Sequence, residues 1–298
     1  MVGMVVRADV VVVGSANLDI VATTERLPHP GETVTADGYF EACGGKGANQ
    51  VIAAARAGAR AAFVGAVGDD DAARQLRAAF AADDVDVSHL VTVDAPTGRA
   101  LIGVSHDGEN LIMVVPGANH VLSVADVEAA GDVIAQARVL LLQCEVPLDV
   151  IQRAVDRSGT DTIVVLNPAP ARELPAELLA ELDLIVPNEH EVTLLGGAAA
   201  LLAAGVGAVV VTEGPRGARL VTRDGETRIA PHRVTPIDTT GAGDAFCGAL
   251  AARLAAGDTL AVALRAAVVG GALATLTRGA VPSLPTWSAI APLLTATP

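Results

Sequence analysis

The sequence predicts an α/β protein of three layers, in which a mostly parallel central sheet is flanked by helices on both sides. Short apolar runs rich in β-branched residues alternate along the chain with longer helix-forming stretches. Each short run is apolar on both faces, as parallel strands between two helical layers require. The predicted strands are residues 10–13, 62–67, 139–142, 162–166, 183–186 and 208–212. The predicted helices are residues 47–57, 71–82, 123–137, 148–157, 174–181, 242–256 and 260–277.

Two segments interrupt this alternation. Residues 17–43 contain a turn rich in Pro and Gly, followed by an extended run at 33–40. Residues 97–116 have the pattern of a hairpin with its turn at 106–109. Extended segments inserted into an α/β chain predict a small β-sheet that covers the mouth of the main sheet as a lid. No linker or repeat divides the chain, so residues 1–298 are predicted to form a single domain.

Composition limits the possible classes of protein. Of the 298 residues 51% are hydrophobic and 18% charged, which is typical of a globular chain. The mean hydropathy of +0.48 reflects alanine, and the most apolar stretches are too short or too rich in Gly and Ala to cross a bilayer. A net charge of −14 argues against a nucleic-acid partner. Three distant cysteines without a CxxC pair indicate free thiols in a reducing compartment, and the cytoplasm is the expected location.

The strongest local signal is the glycine-rich turn at 238–246, which leads directly into a predicted helix. The small residues Gly241, Ala242 and Gly243 allow the backbone to approach an anion, with their N–H groups and the helix dipole directed at it. Asp244 in the first helical turn can accept a proton from an alcohol beside a bound phosphate. A helix start whose acidic residue only complements the dipole is the alternative interpretation.

A second glycine-rich segment, residues 44–50, also precedes a predicted helix. It lacks the GxxxxGK[ST] pattern of a P-loop. Gly45 permits close approach, and Asn49 can both donate to and accept from sugar hydroxyls. Lys46 is the only lysine in the chain, which suggests a site that needs a compact ammonium group, although chance remains the alternative.

Further polar residues follow predicted strands. Asn17 and Asp19 come just after the first strand, and Glu145, Asn188 and Glu191 follow later ones. Open α/β sheets bind ligands at the carboxyl ends of their strands, so these side chains are expected to converge on one crevice. An Asx turn or helix cap would explain each of them singly.

Taken together, these segments resemble the ribokinase-like, or PfkB, family of carbohydrate kinases nearly from end to end. The similarity lies in residues 14–19, 30–34, 44–50, 68–70, 166–175, 187–189, 241–244 and 277–283, which follow the family's order. The segments 166–175, 187–189 and 277–283 are most similar to the branch of the family that phosphorylates ribose. The resemblance implies a three-layer fold with a lid, and ATP-dependent phosphorylation of the primary 5-hydroxyl of D-ribose.

The same resemblance implies a role for each matching residue. Asp244 would be the catalytic base, and the N–H groups of Gly241, Ala242 and Gly243 would form an anion hole. The sugar would be held by Asn17, Asp19, Gly45, Asn49 and Glu145, with Lys46 beside the phosphates. ATP would contact Asn188, Thr212, Gly214, Arg216, Gly217 and Gly243. Glu191 would organise Mg²⁺ through water, and K⁺ would be bound by Asp238, Ser283 and backbone oxygens of Thr240, Ala274, Thr277 and Gly279.

Three departures from the family concern the nucleotide side: a shorter segment at 191–208, Pro215 in the ATP loop, and the wholly apolar residues 266–268. The lid strands are expected to have exposed edges, and such edges usually pair with another strand. Together with the resemblance to a family whose members commonly dimerise, this implies a homodimer joined through the lids.

Other functions stay open at this stage. The substrate could be deoxyribose, fructose, a nucleoside or a keto-sugar acid, for which Arg99 would be a candidate carboxylate partner. A non-catalytic sugar-binding protein is a further possibility. A nicotinamide dehydrogenase is rejected, because the loop after the first strand lacks G-x-G-x-x-G.

Overall fold

The computed structural model describes residues 8–294, and within that range thirteen strands form two sheets. The strands are β1 (Val10–Val13), β2 (Asn17–Thr24), β3 (Gly38–Gly44), β4 (Ala61–Val67), β5 (Asp86–Thr92), β6 (Gly98–Ser105), β7 (Asn110–Val115), β8 (Val139–Gln143), β9 (Ile163–Asn167), β10 (Leu184–Ile185), β11 (Ala208–Thr212), β12 (Ala218–Thr222) and β13 (Gly225–Ile229). The helices are α1 (Lys46–Arg56), α2 (Asp71–Ala82), α3 (Val124–Ala129), α4 (Gly131–Gln136), α5 (Leu148–Asp156), α6 (Ala176–Ala180), α7 (Glu189–Leu194), α8 (Ala198–Ala203), α9 (Ala242–Ala255), α10 (Leu260–Ala274), α11 (Ala280–Ser283) and α12 (Trp287–Leu294). Two 3₁₀ turns lie at Gly117–His120 and Gly214–Arg216.

The larger sheet has nine strands in the order β13-β12-β11-β10-β9-β8-β1-β4-β5. From β11 to β5 every neighbouring pair is parallel, and only β12 and β13 at one edge are antiparallel. The predicted fold class, a mostly parallel sheet, is therefore confirmed.

The apolar core lies on both faces of this sheet. Successive side chains of a strand point to opposite faces, and those of β1 divide accordingly. Val10 packs in a cluster with Leu250 of α9, whereas Val11 packs in a second cluster with Ile134 of α4. Helices cover both faces, which explains why the strand sequences are continuously apolar rather than alternating.

The smaller sheet has four strands in the order β3-β2-β6-β7 and is built from the two segments that interrupt the alternation. β2 pairs antiparallel with β3 and parallel with β6, while β6 and β7 form a hairpin. Only residues 14–16 separate β1 from β2, so the first lid strand starts beside the carboxyl end of the central sheet. At that start Asn17 is in register with both Gly44 and Gly98.

The edge strand β7 presents apolar side chains to solvent on both of its faces. All five are about half exposed: Leu111, Ile112, Met113, Val114 and Val115. On the opposite edge, Tyr39 and Phe40 of β3 are also exposed.

The structure differs from the sequence predictions in several places, including four short helices that were not predicted, α7, α8, α11 and α12. The predicted helix at 123–137 is divided into α3 and α4, where Gly131 begins the second helix; glycine has low helix propensity and favours such a break. Strands β5, β12 and β13 were not predicted, because their sequences mix polar and apolar residues. The extended run at 33–40 joins the lid sheet only from Gly38.

Candidate active site

Asp244 lies at the start of α9, where the chain turns sharply before the helix. Gly241 precedes the helix with φ +76°, in the left-handed region, and an added Cβ would lie 3.0 Å from Ala280 Cα. Only glycine adopts that conformation readily. A Cβ added to Gly243 would have no other heavy atom within 4 Å, so the space beside this residue is open. The Ala242 N–H donates to Thr239 O at 3.2 Å, so this member of the predicted anion hole is engaged within its own turn.

The Asp244 carboxylate is buried and held by two amides. Asn49 Nδ2 donates to Oδ2 at 2.9 Å, and Gln50 Nε2 donates to Oδ1 at 3.0 Å. Burial raises the pKa of Asp244 above its ordinary value, and Lys46, Asn49 and Gln50 oppose that rise by stabilising the charged form. The structure thus brings Asp244 and Asn49 into direct contact, although 195 residues separate them in sequence.

Lys46, the first residue of α1, lies among carboxylates. Burial acts to lower the pKa of its ammonium group, but the charges of Asp244, Glu145 and Glu191 outweigh burial and raise it. Its backbone N–H donates to Glu145 Oε2 at 3.1 Å. Lys46 therefore stays protonated, and it is the cation that balances three acids contributed by distant parts of the chain.

The predicted sugar-binding residues of the lid lie next to the glycines of residues 44–45. A Cβ on Gly44 would lie 2.1 Å from Asp19 Oδ2, so the carboxylate rests directly on this glycine. Gly45 has φ +88°, and an added Cβ would meet Asn17 N at 2.7 Å. Burial, and then the charges of Glu145 and Asp244, raise the pKa of Asp19 to about 7. Asp19, Glu145 and Asp244 thus share one electrostatic environment.

Four further polar residues belong to this region and were not assigned from the sequence. Asn119, buried in the 3₁₀ turn after the lid hairpin, donates to Asn17 Oδ1 at 2.7 Å and accepts from Ala16 N at 2.9 Å. The Ser15 hydroxyl donates to Glu145 Oε2 at 2.5 Å. Gln50 and Asn167 are joined by a hydrogen bond of 3.1 Å. Gln50 adjoins Asn49 in the glycine-rich segment, which is a usable signal; nothing local distinguishes Asn119, because its partners are about 100 residues away.

A cavity of about 570 Å³ lies beyond Gly243. Its size is in the range of small-molecule sites, and its walls are mainly apolar. Of the predicted nucleotide residues, Thr212, Gly214, Gly217 and Gly243 line it. The remaining lining residues are Pro215, Pro231, His232, Arg233, Val234, Pro236, Thr239, Ala242, Phe246, Val268, Gly271, Ala272 and Thr275.

Asn188 and Arg216 lie outside that cavity lining. Arg216 is paired with Glu189 at the surface. Asn188 caps α7: its Oδ1 accepts from Glu191 N at 2.8 Å, and Glu191 Oε2 accepts from Asn188 N at 2.8 Å. Burial raises the pKa of Glu191, against the opposing effects of its Asn188 hydrogen bond and the Lys46 charge. Asn188 and Arg216, both predicted to contact ATP, are therefore each bonded to another residue of the protein.

The predicted cation-binding residues come from three adjoining segments. Asp238 Oδ1 accepts from the backbone and hydroxyl of Thr240 at 2.9 and 2.7 Å, and Oδ2 accepts from Gly279 N at 2.9 Å. Burial opposes ionisation of Asp238, but these hydrogen bonds outweigh it and lower its pKa. The buried Ser283 hydroxyl donates to Ala280 O at 2.8 Å. Ala274 ends α10, and Thr277 lies in the turn that follows. Thr275, which lies between these two residues, accepts a hydrogen bond through its backbone oxygen from Asp238 N at 3.2 Å.

The Asp238 carboxylate retains one acceptor site for a cation. An ionised carboxylate has about four lone-pair sites, and the hydrogen bonds to Asp238 use three of them. Among residues 8–294, no cluster of three or more His, Cys, Asp or Glu could hold a metal ion. Mg²⁺ fits all the same, because it is commonly bound by one or two carboxylates, water and substrate phosphates rather than by a protein cage.

A three-layer fold with a lid, an acid at a helix start and an adjoining cavity define a phosphotransferase site of the carbohydrate kinase class. In agreement, the profile of the "pfkB family carbohydrate kinase" matches residues 7–287, so the chain belongs to this family. A ribokinase of Haemophilus influenzae is 39% identical over 295 residues, covering 94% of this chain and 96% of that protein. A deoxyribokinase of Salmonella typhi is 33% identical over 292 residues, covering 93% and 95%.

Solved structures of the class agree with the fold. The structure of Arabidopsis thaliana ribokinase complexed with ribose and ATP superposes with a TM-score of 0.89 at 30% identity, over 98% of this chain and all of that chain. Within residues 8–294, no helix is both long and apolar enough to cross a membrane.

Proposed function

We propose that the protein transfers the γ-phosphoryl group of ATP to the primary 5-hydroxyl of D-ribose. The observation that carries the proposal is the position of Asp244: at the start of α9, bonded to Asn49, electrostatically coupled to Asp19 and Glu145, and next to a cavity of nucleotide size. The ribokinase relatives support ribose as the substrate, because the similarity to them extends over nearly the whole chain.

In this mechanism the lid and α1 hold the sugar. Asp19 and Glu145 accept hydroxyl hydrogens, while Asn17 and Asn49 can both donate and accept. The backbone of Gly45 allows the sugar to come close. Asn49 Oδ1 is buried and has no partner among the described residues, as expected of an acceptor that a sugar hydroxyl completes.

Asp244 then takes the proton of the 5-hydroxyl as the oxygen attacks the γ-phosphorus in line, while the bond from that phosphorus to the bridging oxygen breaks and ADP leaves. The N–H groups of Gly241 and Gly243, with the dipole of α9, stabilise the charge on the transferred group. Lys46 lies beside the phosphates and balances the acids of the site.

The nucleotide occupies the cavity lined by Thr212, Gly214 and Gly217, with Asn188 and Arg216 at its margin. Glu191 would hold Mg²⁺ through water, and Asp238 with Ser283 and the backbone oxygens of Thr240, Ala274, Thr277 and Gly279 would hold K⁺. When bound, Mg²⁺ would neutralise charge that develops on the phosphates, and K⁺ would lie behind the anion hole.

The test is ADP release with MgATP and KCl over a panel of ribose, deoxyribose, fructose, nucleosides and keto-sugar acids. We expect a clear preference for D-ribose and lower activity when KCl is omitted. Preference for another sugar would keep the mechanism and replace the substrate. Absence of turnover with every sugar would support a non-catalytic sugar-binding protein.

The role of Asp244 is tested with Asp244→Asn, which keeps the size of the side chain. Loss of a general base lowers kcat by roughly 10²- to 10⁴-fold, and sugar binding by calorimetry should persist. Asp94→Asn, at an exposed turn, is the matched control. Near-normal turnover of Asp244→Asn would refute the assignment.

Among the alternative substrates, deoxyribose has the support of the deoxyribokinase relative. A keto-sugar acid is less favoured, because Arg99 lies 3.8 Å from the Asp70 carboxylate and is already paired. A nucleoside is disfavoured by the scarcity of aromatic residues, of which the chain has six.

We further propose a homodimer joined through the lids. The support is the half-exposed apolar strand β7, since exposed edge strands of this kind pair with another chain. Met113→Glu places a charge in that strand and should convert a dimer to a monomer in light scattering. A wild-type monomer at micromolar concentration would contradict the proposal.

We also propose that residues 1–298 act as one domain in the cytoplasm without a nucleic-acid or membrane partner. The free thiols of Cys43, Cys144 and Cys247 suit a reducing compartment. Cell fractionation tests the location.

A further inference from the structure

Gln50 lies behind Asp244 and is fully buried. Its Nε2 donates both to Asp244 Oδ1 at 3.0 Å and to Asn167 Oδ1 at 3.1 Å. Its Oε1 accepts from Gln143 Nε2 at 2.7 Å. The protein itself therefore satisfies both amide hydrogens and the oxygen of this side chain.

The direction of this amide chain is set by a backbone carbonyl. Asn167 Nδ2 donates to Val186 O at 2.9 Å, and a carbonyl oxygen can only accept. Asn167 must therefore turn its Oδ1 toward Gln50, which requires Gln50 to present its NH₂ group. That same NH₂ group reaches Asp244, so the carboxylate always meets a donor there.

The other end of the chain is fixed by sterics and polarity. Gln143 Oε1 would lie 1.9 Å from a Cβ added to Gly14, so the amide fits only against glycine. A reversed Gln143 would place its oxygen against Gln50 Oε1. The chain from Val186 to Gln143 thus has one arrangement in which each of its hydrogen bonds joins a donor to an acceptor, while Gln143 Oε1 itself is buried without a partner among the described residues.

We infer that Gln50 is a positioning residue for phosphoryl transfer, which holds the Asp244 carboxylate in its reactive orientation and in its charged form. This rests on the proposed role of Asp244 as general base. Asn49, the other partner of Asp244, is also expected to bind the sugar and must share its hydrogen bonds. Gln50 has no such second task, because its amide hydrogens and oxygen are all paired within the protein.

The physical reason is the balance of forces on a buried carboxylate. Burial favours the neutral acid, which cannot accept the hydroxyl proton, whereas hydrogen bonds from amides favour the anion. Removing the Gln50 donor therefore makes Asp244 harder to ionise. A free carboxylate oxygen would also allow the group to rotate away from the attacking hydroxyl.

The test compares Gln50→Met, Gln50→Glu and Gln75→Met by the pH dependence of kcat with ribose and MgATP. Gln75 is exposed on α2 and is the matched control. We expect Gln50→Met to lower kcat by about tenfold or more and to move the acid limb of the profile up by about one pH unit, as loss of a hydrogen bond to a charged group implies. Gln50→Glu should move the acid limb further, because it adds a second acid beside Asp244. The KM for ribose should change by less than about threefold.

A merely structural role of Gln50 would lower activity and thermal stability without moving the acid limb. An unmoved acid limb in both Gln50 variants, with Asp244→Asn inactive, would overturn the inference and leave the general-base proposal intact. An active Asp244→Asn would overturn both.

If the Gln50 variants do not fold, Asn167→Leu interrupts the hydrogen-bonded amide chain at the residue next to Gln50 in that chain; Asn167 does not itself contact Asp244 through a hydrogen bond. Gln50 then loses the partner that orients it, and the acid limb should move in the same direction by a smaller amount. An unmoved limb in Asn167→Leu would likewise refute the inference.

Discussion

Replacing Asp19 by asparagine should stabilise the empty protein at neutral pH while abolishing sugar binding. The pKa of Asp19 is raised from 3.8 to about 7, because the carboxylate is buried near Glu145 and Asp244. Three pKa units correspond to about 4 kcal/mol between the two protonation states. The side chain is partly exposed, so solvent screening reduces the expected effect to about 2 kcal/mol.

The dependence on pH follows from the sign of the shift. Between about pH 4 and pH 7 the unfolded chain has lost the Asp19 proton, whereas the folded protein retains it. The free energy of unfolding therefore falls as pH rises through this range, and the full penalty is present above pH 7. The Asp19→Asn variant carries no such penalty, so the difference between the two proteins should be largest at pH 8 and should shrink steadily toward pH 5.

Urea unfolding of the ligand-free proteins at pH 5, 6, 7 and 8 measures this difference. Asp94→Asn removes an exposed carboxylate and should stay within about 0.5 kcal/mol of wild type at every pH. With ribose present, only the wild type should gain stability, because the variant has lost its acceptor. A variant less stable than wild type, or a difference independent of pH, would refute the electrostatic reasoning.

Two further predictions concern the two halves of the site. Asn119→Leu removes the donor to Asn17 Oδ1 and should raise the KM for ribose by about tenfold, with the KM for ATP unchanged in steady-state kinetics. Val268→Phe should partly fill the cavity beyond Gly243 and raise the KM for ATP about tenfold or more, with ribose binding by calorimetry unchanged. Equal changes in both KM values for either variant would show that the two halves are not separable in this way.

The sequence was sufficient to predict the elements whose apolar pattern is strong. Strand β1 and helix α2 have the predicted bounds, since the first is wholly buried and the second has an amphipathic pattern with Asp70 as its cap. β12 and β13 could not be predicted, because an antiparallel edge exposed to solvent has no continuous apolar run.

The site could be predicted only as far as local motifs extend. The glycines before Lys46 and Asp244 indicate close approach of the backbone, whichever ligand is bound. Asn119 was beyond reach, because its partners come from another part of the chain and an asparagine in a turn is common. The hydrogen bond from Ala242 N to Thr239 O could not be predicted either, because it depends on the direction of a backbone carbonyl, which the local sequence does not specify.

The predicted gain of stability in Asp19→Asn and the positioning role of Gln50 have one cause. Asp19, Glu191 and Asp244 all have raised pKa values, and the charge of Lys46 opposes the rise at Glu191 and Asp244. The fold therefore holds these acids where their ionisation is unfavourable. A sugar that donates hydroxyl hydrogens to Asp19, or a cation brought with the nucleotide, relieves part of this penalty. Binding free energy should for this reason be greatest for ligands that supply donors or positive charge, which is the requirement of a polyol substrate and a metal-bound phosphate donor.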